Sequence, residues 1–249
     1  MIWVTWRQHR AQAIACLALL CALAALAITL GLSMRSAFSD DGLPGCIARS
    51  GGAGCPAAIA SFVDKFSQGP ATLINVPLIA IPVFLGIVVG APLLGRELEQ
   101  GTWRLAWTQT VPRTRWLVTK LGLVTGGLVL FGAAVTTITT WYYGPLDQVS
   151  SRLQFGPSNT EGLTFTASLL CAFGLAVLAG LLLRNTIGAM VAAYIGWEIP
   201  SAVVLLVLNG PSQPASRFWT LQLLGGGLYL LVAAAALGTA VWLLHRRTT

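Results

Sequence analysis

Charge is scarce in this chain: only 9% of its 249 residues are Asp, Glu, Lys or Arg. A soluble domain carries about 25% charged residues to wet its surface, so an ordinary soluble enzyme or binding domain is excluded. Lysine is nearly missing. Lys65 and Lys120 are the only two, and neither follows a glycine, so no G-x-x-x-x-G-K-[ST] phosphate loop exists. No G-x-S-x-G nucleophile turn is present either. His9 and His245 are the only histidines, one near each end. A membrane metalloprotease needs several His and acidic ligands converging in the bilayer, and the chain does not supply them. Enzymatic chemistry, a resident metal and a resident cofactor are therefore not expected. The net charge of +7 is spread over loops with no dense basic run, so no nucleic-acid partner is expected.

What the chain has is apolar length. Hydrophobic residues make up 55%, and the mean hydropathy is +0.75. A helix needs about 20 apolar residues to cross the hydrocarbon layer. Stretches free of charge and histidine fall at Ala11–Met34, Phe66–Gly95, Leu121–Leu146, Gly162–Leu183 and Phe218–Leu244. A further one, Asn185–Ser216, is interrupted only by Glu198. Six crossings follow: an all-α integral membrane protein, one transmembrane domain over 1–249. The first run is longer than a signal-peptide core, and no A-x-A-like site follows it closely, so it reads as a retained anchor.

Six crossings put both termini on one side. That side holds Arg7, Arg10, Arg96, Arg104, Arg113, Arg115, Lys120, Arg184, Arg246 and Arg247. The other holds Arg35, Arg49, Lys65, Arg152 and Arg217. The positive-inside rule then sets both termini in the cytoplasm. Arg outnumbers Lys 13 to 2, the usage of a GC-rich bacterial genome.

Residues 35–65 read as an external loop, floppy and Gly-rich. Cys46 and Cys55 within it form a disulfide if that side is oxidising; otherwise they are two free thiols. Cys16, Cys21 and Cys171 fall in spans as small apolar fillers. Residues 1–12 carry Trp3 and Trp6 on one face and Arg7 and Arg10 on another. That pattern fits an amphipathic helix lying in the membrane plane, or a simple anchor for the first span. Residues 96–120 are the one sizeable cytoplasmic segment. It opens on Glu97 and Glu99, breaks at Gly101, and carries Trp103 and Trp107 four apart. Two carboxylates two apart do not share a helix face, so they form no acid/base pair. They can pair with Arg96, Arg104 or Arg113, or cap a neighbouring helix. The tryptophans insert into headgroups or dock into a partner.

Glu198 stands near the middle of the fifth span, two residues before Pro200. A charge at mid-bilayer costs about 2.5–3.5 kcal/mol on insertion scales and marks function by default. Its alternatives are a neutral carboxyl, a water-filled cavity, or a place near the outer surface if Ile199–Leu208 is re-entrant.

Three stretches carry a resemblance. MIWVTWRQHRAQ at the start, PLLGRELEQGTWRLAWTQTVPRTRWLVTKLG in the middle and RFWTLQ…AVWLLHRRTT at the end resemble actinobacterial ABC transporter permeases of the type-2 export class. The resemblance implies six spans with both termini inside the bacterial inner membrane. It implies an in-plane helix at 1–12 and a short cytoplasmic coupling helix between spans two and three. Glu97 and Glu99 match the family's E-x-E motif. Gly101–Gln109, with Thr102, Trp103, Arg104 and Trp107, would touch a separate ATP-binding cassette ATPase. That ATPase, not this chain, would hold ATP and Mg. A second permease subunit, identical or a paralogue, would complete a dimer. Only about ten residues, Asn209–Phe218, join spans five and six, fewer than relatives with these motifs often have, so no substrate is carried over. The rival reading is a membrane-embedded regulatory or assembly subunit that moves nothing.

Overall fold

The computed structural model describes residues 2–50, 54–67, 70–99, 113–149, 162–208 and 218–246. Among these the chain forms eight helices and no strand: α1 (Ile2–Asp40), α2 (Leu43–Ser50), α3 (Pro56–Ser67), α4 (Pro70–Glu99), α5 (Arg113–Val149), α6 (Leu163–Leu183), α7 (Thr186–Leu208) and α8 (Phe218–Arg246). Six are long and apolar enough to cross a membrane, within α1, α4, α5, α6, α7 and α8. The all-α, six-span architecture expected from hydropathy is the one observed. Inside hydrocarbon a backbone must satisfy its own hydrogen bonds, which leaves the helix as the unit for a single chain segment. That demand carries α4 through Pro77, Pro82 and Pro92, α5 through Pro145 and α7 through Pro200.

α6 is the centre. It is apolar on all sides, the signature of a helix surrounded by protein. Phe165, Leu169, Phe173 and Val177 are fully buried along it. α4, α8, α7 and α5 pack around it. Two of these contacts are backbone-close. A Cβ added at Gly86 would sit 2.6 Å from the Leu169 carbonyl oxygen, and one at Gly90 2.7 Å from that of Phe173. From the other side, a Cβ at Gly180 would meet the Ala91 carbonyl at 3.0 Å. α8 approaches at Gly174, 3.1 Å from the Ala233 carbonyl by the same measure. Helices in lipid gain little from hiding apolar surface from one another, so close packing through small residues holds them.

Three features add to the expectations from sequence. The amphipathic stretch at residues 2–12 is continuous with the first span: α1 runs unbroken from Ile2 to Asp40, because no Gly or Pro interrupts it before Gly31. The 35–65 segment is not a floppy loop. Gly42, at φ +64, turns the chain out of α1, and Pro56 starts α3 at the position where a missing N–H costs nothing. Leu43 and Phe62 are buried, and Phe62 contacts Phe38 and Phe66 at ring-centroid distances of 5.6 and 4.9 Å. A disulfide joins Cys46 and Cys55, at a Cα–Cα distance of 6.5 Å, between α2 and α3. Of the two alternatives left open for residues 199–208, completing the span or re-entering, the structure has the first: they complete α7.

At the disulfide end, Arg35 ties α1 to α5. Its guanidinium lies 3.8 Å over the Trp141 ring and donates to the Trp141 carbonyl and, at 3.2 Å, to that of Gly31. Trp141 fits because Gly31 has no side chain: a Cβ there would be 2.7 Å from the ring.

Gly86→Ala and Gly126→Ala should have opposite effects. The first forces α4 from α6 and should destabilise the protein by about 1–3 kcal/mol. The second, with nothing within 4 Å, should stabilise by about 0.5–1 kcal/mol, the ordinary helix preference for Ala. Thermal unfolding in one detergent reads both signs.

Candidate coupling and intramembrane site

Glu99 ends α4, and the start of α7 lies against it. Its Oε2 accepts from the Thr186 backbone N–H at 3.3 Å and from Thr186 Oγ1 at 2.9 Å. Thr186 is the first residue of α7, so the carboxylate satisfies a free N-terminal N–H and sits at the positive end of the helix dipole. The chain makes this start sharply. Arg184 adopts the left-handed conformation, φ 52 and ψ 26, and closes α6 through its N–H to the Gly180 carbonyl at 3.1 Å. Asn185 then caps α7, its Oδ1 accepting from Gly188 N–H at 2.8 Å. Gly95, one turn before Glu99, admits Thr186 closely: a Cβ there would lie 3.4 Å from the Thr186 Cα.

A second bond holds the start of α5 to α4. Lys120, only 4% exposed, donates from Nζ to the Leu93 carbonyl at 3.2 Å. A cation near a helix C-terminus is favourably placed. The 100–112 segment thus leaves from a helix fixed by Glu99 and re-enters a helix fixed by Lys120.

Gly101, Thr102, Trp103, Arg104 and Trp107, the middle of the proposed coupling segment, lie outside the described residues. Glu97 lies in the last turns of α4, its side chain also outside them. The E-x-E pair is therefore located at Glu99, where the carboxylate caps a neighbouring helix.

Glu198 lies on the surface of α7, twelve residues from its start, so about 18 Å along the axis. The Tyr194 hydroxyl lies one turn earlier on the same face, beside its carboxylate. The adjacent Trp197 turns to the protein interior. Its Nε1 donates to Ser168 Oγ at 3.3 Å, and its ring stacks on Tyr229 at 6.4 Å.

Several polar side chains within the spans are partnered within one copy. Thr136 donates to the Gly162 carbonyl at 3.2 Å, Thr137 to Ala133 at 2.9 Å and Thr139 to Thr136 at 3.0 Å. Asn75 accepts from the Tyr143 hydroxyl. At the disulfide end, buried Gln222 accepts from Thr164 N–H at 3.0 Å and from its hydroxyl, which fixes α8 to the start of α6.

Residues 17–208 match the family model described as ABC-2 membrane transporter related. The chain belongs to that family. The match spans more than three quarters of the chain, from within α1 to the end of α7. No curated protein and no solved structure matches it. ABC-2 membership and six apolar helices make the chain a multi-pass membrane component of permease type.

Several residues central to this ABC-2 chain were not singled out as site residues from sequence. Thr186 could have been, since Asn-Thr directly after a helix-ending residue is a capping signal. Tyr194 could have been, at four residues before Glu198. Lys120 and Gln222 depend on which helices meet, and no local pattern gives that.

Glu99→Ala and Thr186→Val should each lower stability by about 1 kcal/mol, the scale of a lost helix cap. The double variant should cost clearly less than the sum, because both changes remove one interaction. A thermal-unfolding double-mutant cycle measures the coupling, and strict additivity would mean the two residues do not interact.

Proposed function

We propose that this chain is the membrane subunit of an ATP-driven exporter, working with a separate ATP-binding cassette ATPase and a second permease subunit. The observation that carries the reading is ABC-2 family membership over six apolar helices. The absence of a phosphate-binding loop from the sequence supports a division of labour, with ATP and Mg on the partner. The ten-against-five distribution of basic residues supports cytoplasmic termini in a bacterial inner membrane. The second permease subunit is a further copy of this chain or a paralogue.

The mechanism follows from the two ends of the 100–112 segment. In this reading that segment is the receiver, and Glu97, Glu99, Gly101, Thr102, Trp103, Arg104 and Trp107 serve the coupling to the ATPase. Closure of the cassettes presses on it. The push passes to the last turn of α4, and through the Glu99–Thr186 bonds to the head of α7. It passes also to α5, held at Lys120. Helices joined this way tilt as stiff bodies, which is how a small displacement becomes a switch between inward- and outward-facing arrangements.

Purification from native membranes should bring down a stoichiometric cassette ATPase. Trp103→Ala with Arg104→Ala should weaken that association by about 2 kcal/mol per anchor, roughly thirtyfold each, and uncouple ATP hydrolysis from transport. Recovery of the chain without any ATPase would favour the regulatory or assembly-subunit reading instead.

Orientation has its own test. After mild reduction of intact cells, a membrane-impermeant maleimide should label Cys46 and Cys55. Labelling only after lysis would reverse the topology.

A further inference from the structure

Glu198 is the one acidic residue in the interior of an expected span, and the family reading leaves it without a task. Val191, Tyr194, Glu198, Ala202 and Leu205 follow one another at three- and four-residue steps, so they form one stripe along α7. All five are exposed; Tyr194 is 51% exposed and Leu205 53%. The stripe is apolar at both ends and polar in the middle. Its polar part is one carboxyl and one phenol, side by side on the same face. Among the described residues no cationic side chain forms an ion pair with Glu198.

A carboxyl group on the outward face of a membrane-spanning helix is costly wherever it carries its charge. Its complement must carry positive charge and must also tolerate hydrocarbon on both sides. The Tyr194 ring supplies a second attraction for such a group, since a cation over an aromatic face is stabilised by the ring's quadrupole. Val191 on one side and Leu205 on the other offer apolar surface to the body of the same molecule.

We propose that the Tyr194–Glu198 stripe of α7 is a binding site for a lipophilic cation, an amphiphile bearing an ammonium or similar positive group. The cation pairs with Glu198, its charge lies beside the Tyr194 ring, and its apolar body covers the flanking stripe. The proposal deepens the exporter reading, on which it rests for the meaning of the site, by naming a substrate class. It also connects to the coupling end, because Glu99 holds the head of the same helix through Thr186.

The test uses tetraphenylphosphonium and tetraphenylborate, two ions of the same shape and opposite charge. The full chain is placed in zwitterionic nanodiscs, and binding is measured above that of empty discs. Tetraphenylphosphonium should bind saturably and tetraphenylborate should not. Glu198→Gln should weaken binding by about tenfold or more, and Tyr194→Phe by about threefold. Glu198→Asp should retain most of it. A second measurement needs no variant: a hydrophobic carbodiimide should modify Glu198 in the wild-type protein, and tetraphenylphosphonium but not tetraphenylborate should slow that modification. Equal binding of the two ions, binding unchanged by Glu198→Gln, or modification unaffected by the cation would overturn the site. None of these readouts requires the ATPase. A chain that captures its ATPase but fails them loses the site alone, and one that binds the cation but captures no ATPase loses the exporter reading alone.

Discussion

The near contact of two backbones, α4 against α6, is the constraint on which the rest depends. Gly86, Gly90 and Gly180 let the helix axes approach until carbonyl oxygens fill the places side chains would occupy. In water such an approach would be driven by apolar burial. In lipid it is held by dispersion and by the absence of any better partner. With α4 seated on α6, the last turn of α4 arrives at the α6–α7 turn, and Glu99 reaches Thr186. The same seating leaves α7 on the outer side, so that Glu198 is exposed rather than enclosed.

The two ends of the bundle are built differently. At the disulfide end the chain adds structure: α2 and α3 lie over the helix ends, with Phe38, Phe62 and Phe66 as their common core. There Arg35 holds Trp141 and Gln222 holds Thr164, each through side-chain to backbone bonds. At the opposite end charged side chains make the ties among the described residues, Glu99 to Thr186 and Lys120 to Leu93. A groove of about 690 Å³ opens there between α1 and α5, lined by residues such as Cys16, Leu20, Gly126 and Phe131.

Much of this was legible in the sequence, for a reason specific to membranes. Hydropathy alone delimits a helix when the solvent forbids alternatives, so the interior bounds at Leu163–Leu183 and the start at Phe218 agree with the hydropathy stretches to within a residue. Where that rule lapses, the reading failed. Leu43–Ser50 and Pro56–Ser67 lie beyond the apolar runs, and their helical form rests on Phe62 and Leu43 finding a buried place against α1 and α4. The polar contacts were half legible. Capping of a neighbouring helix was among the options open to Glu99, but choosing Thr186 requires knowing that α4 ends beside the start of α7.

The Arg35–Trp141 attachment has a mechanical meaning. It fixes α5 near one extremity, while the chain leaving the 100–112 segment joins α5 at the other, Arg113. Between Trp141 and Arg113 lie 28 residues of helix, or about 42 Å at 1.5 Å per residue. A rod of that length turning by about 5° around the Trp141 end sweeps its far end through about 4 Å. In the proposed mechanism the guanidinium and the indole act as a fulcrum. The lever arm they create is nearly the full depth of the bilayer, so a change of tilt too small to disturb the packing at Trp141 is a full side-chain's width of travel at Arg113.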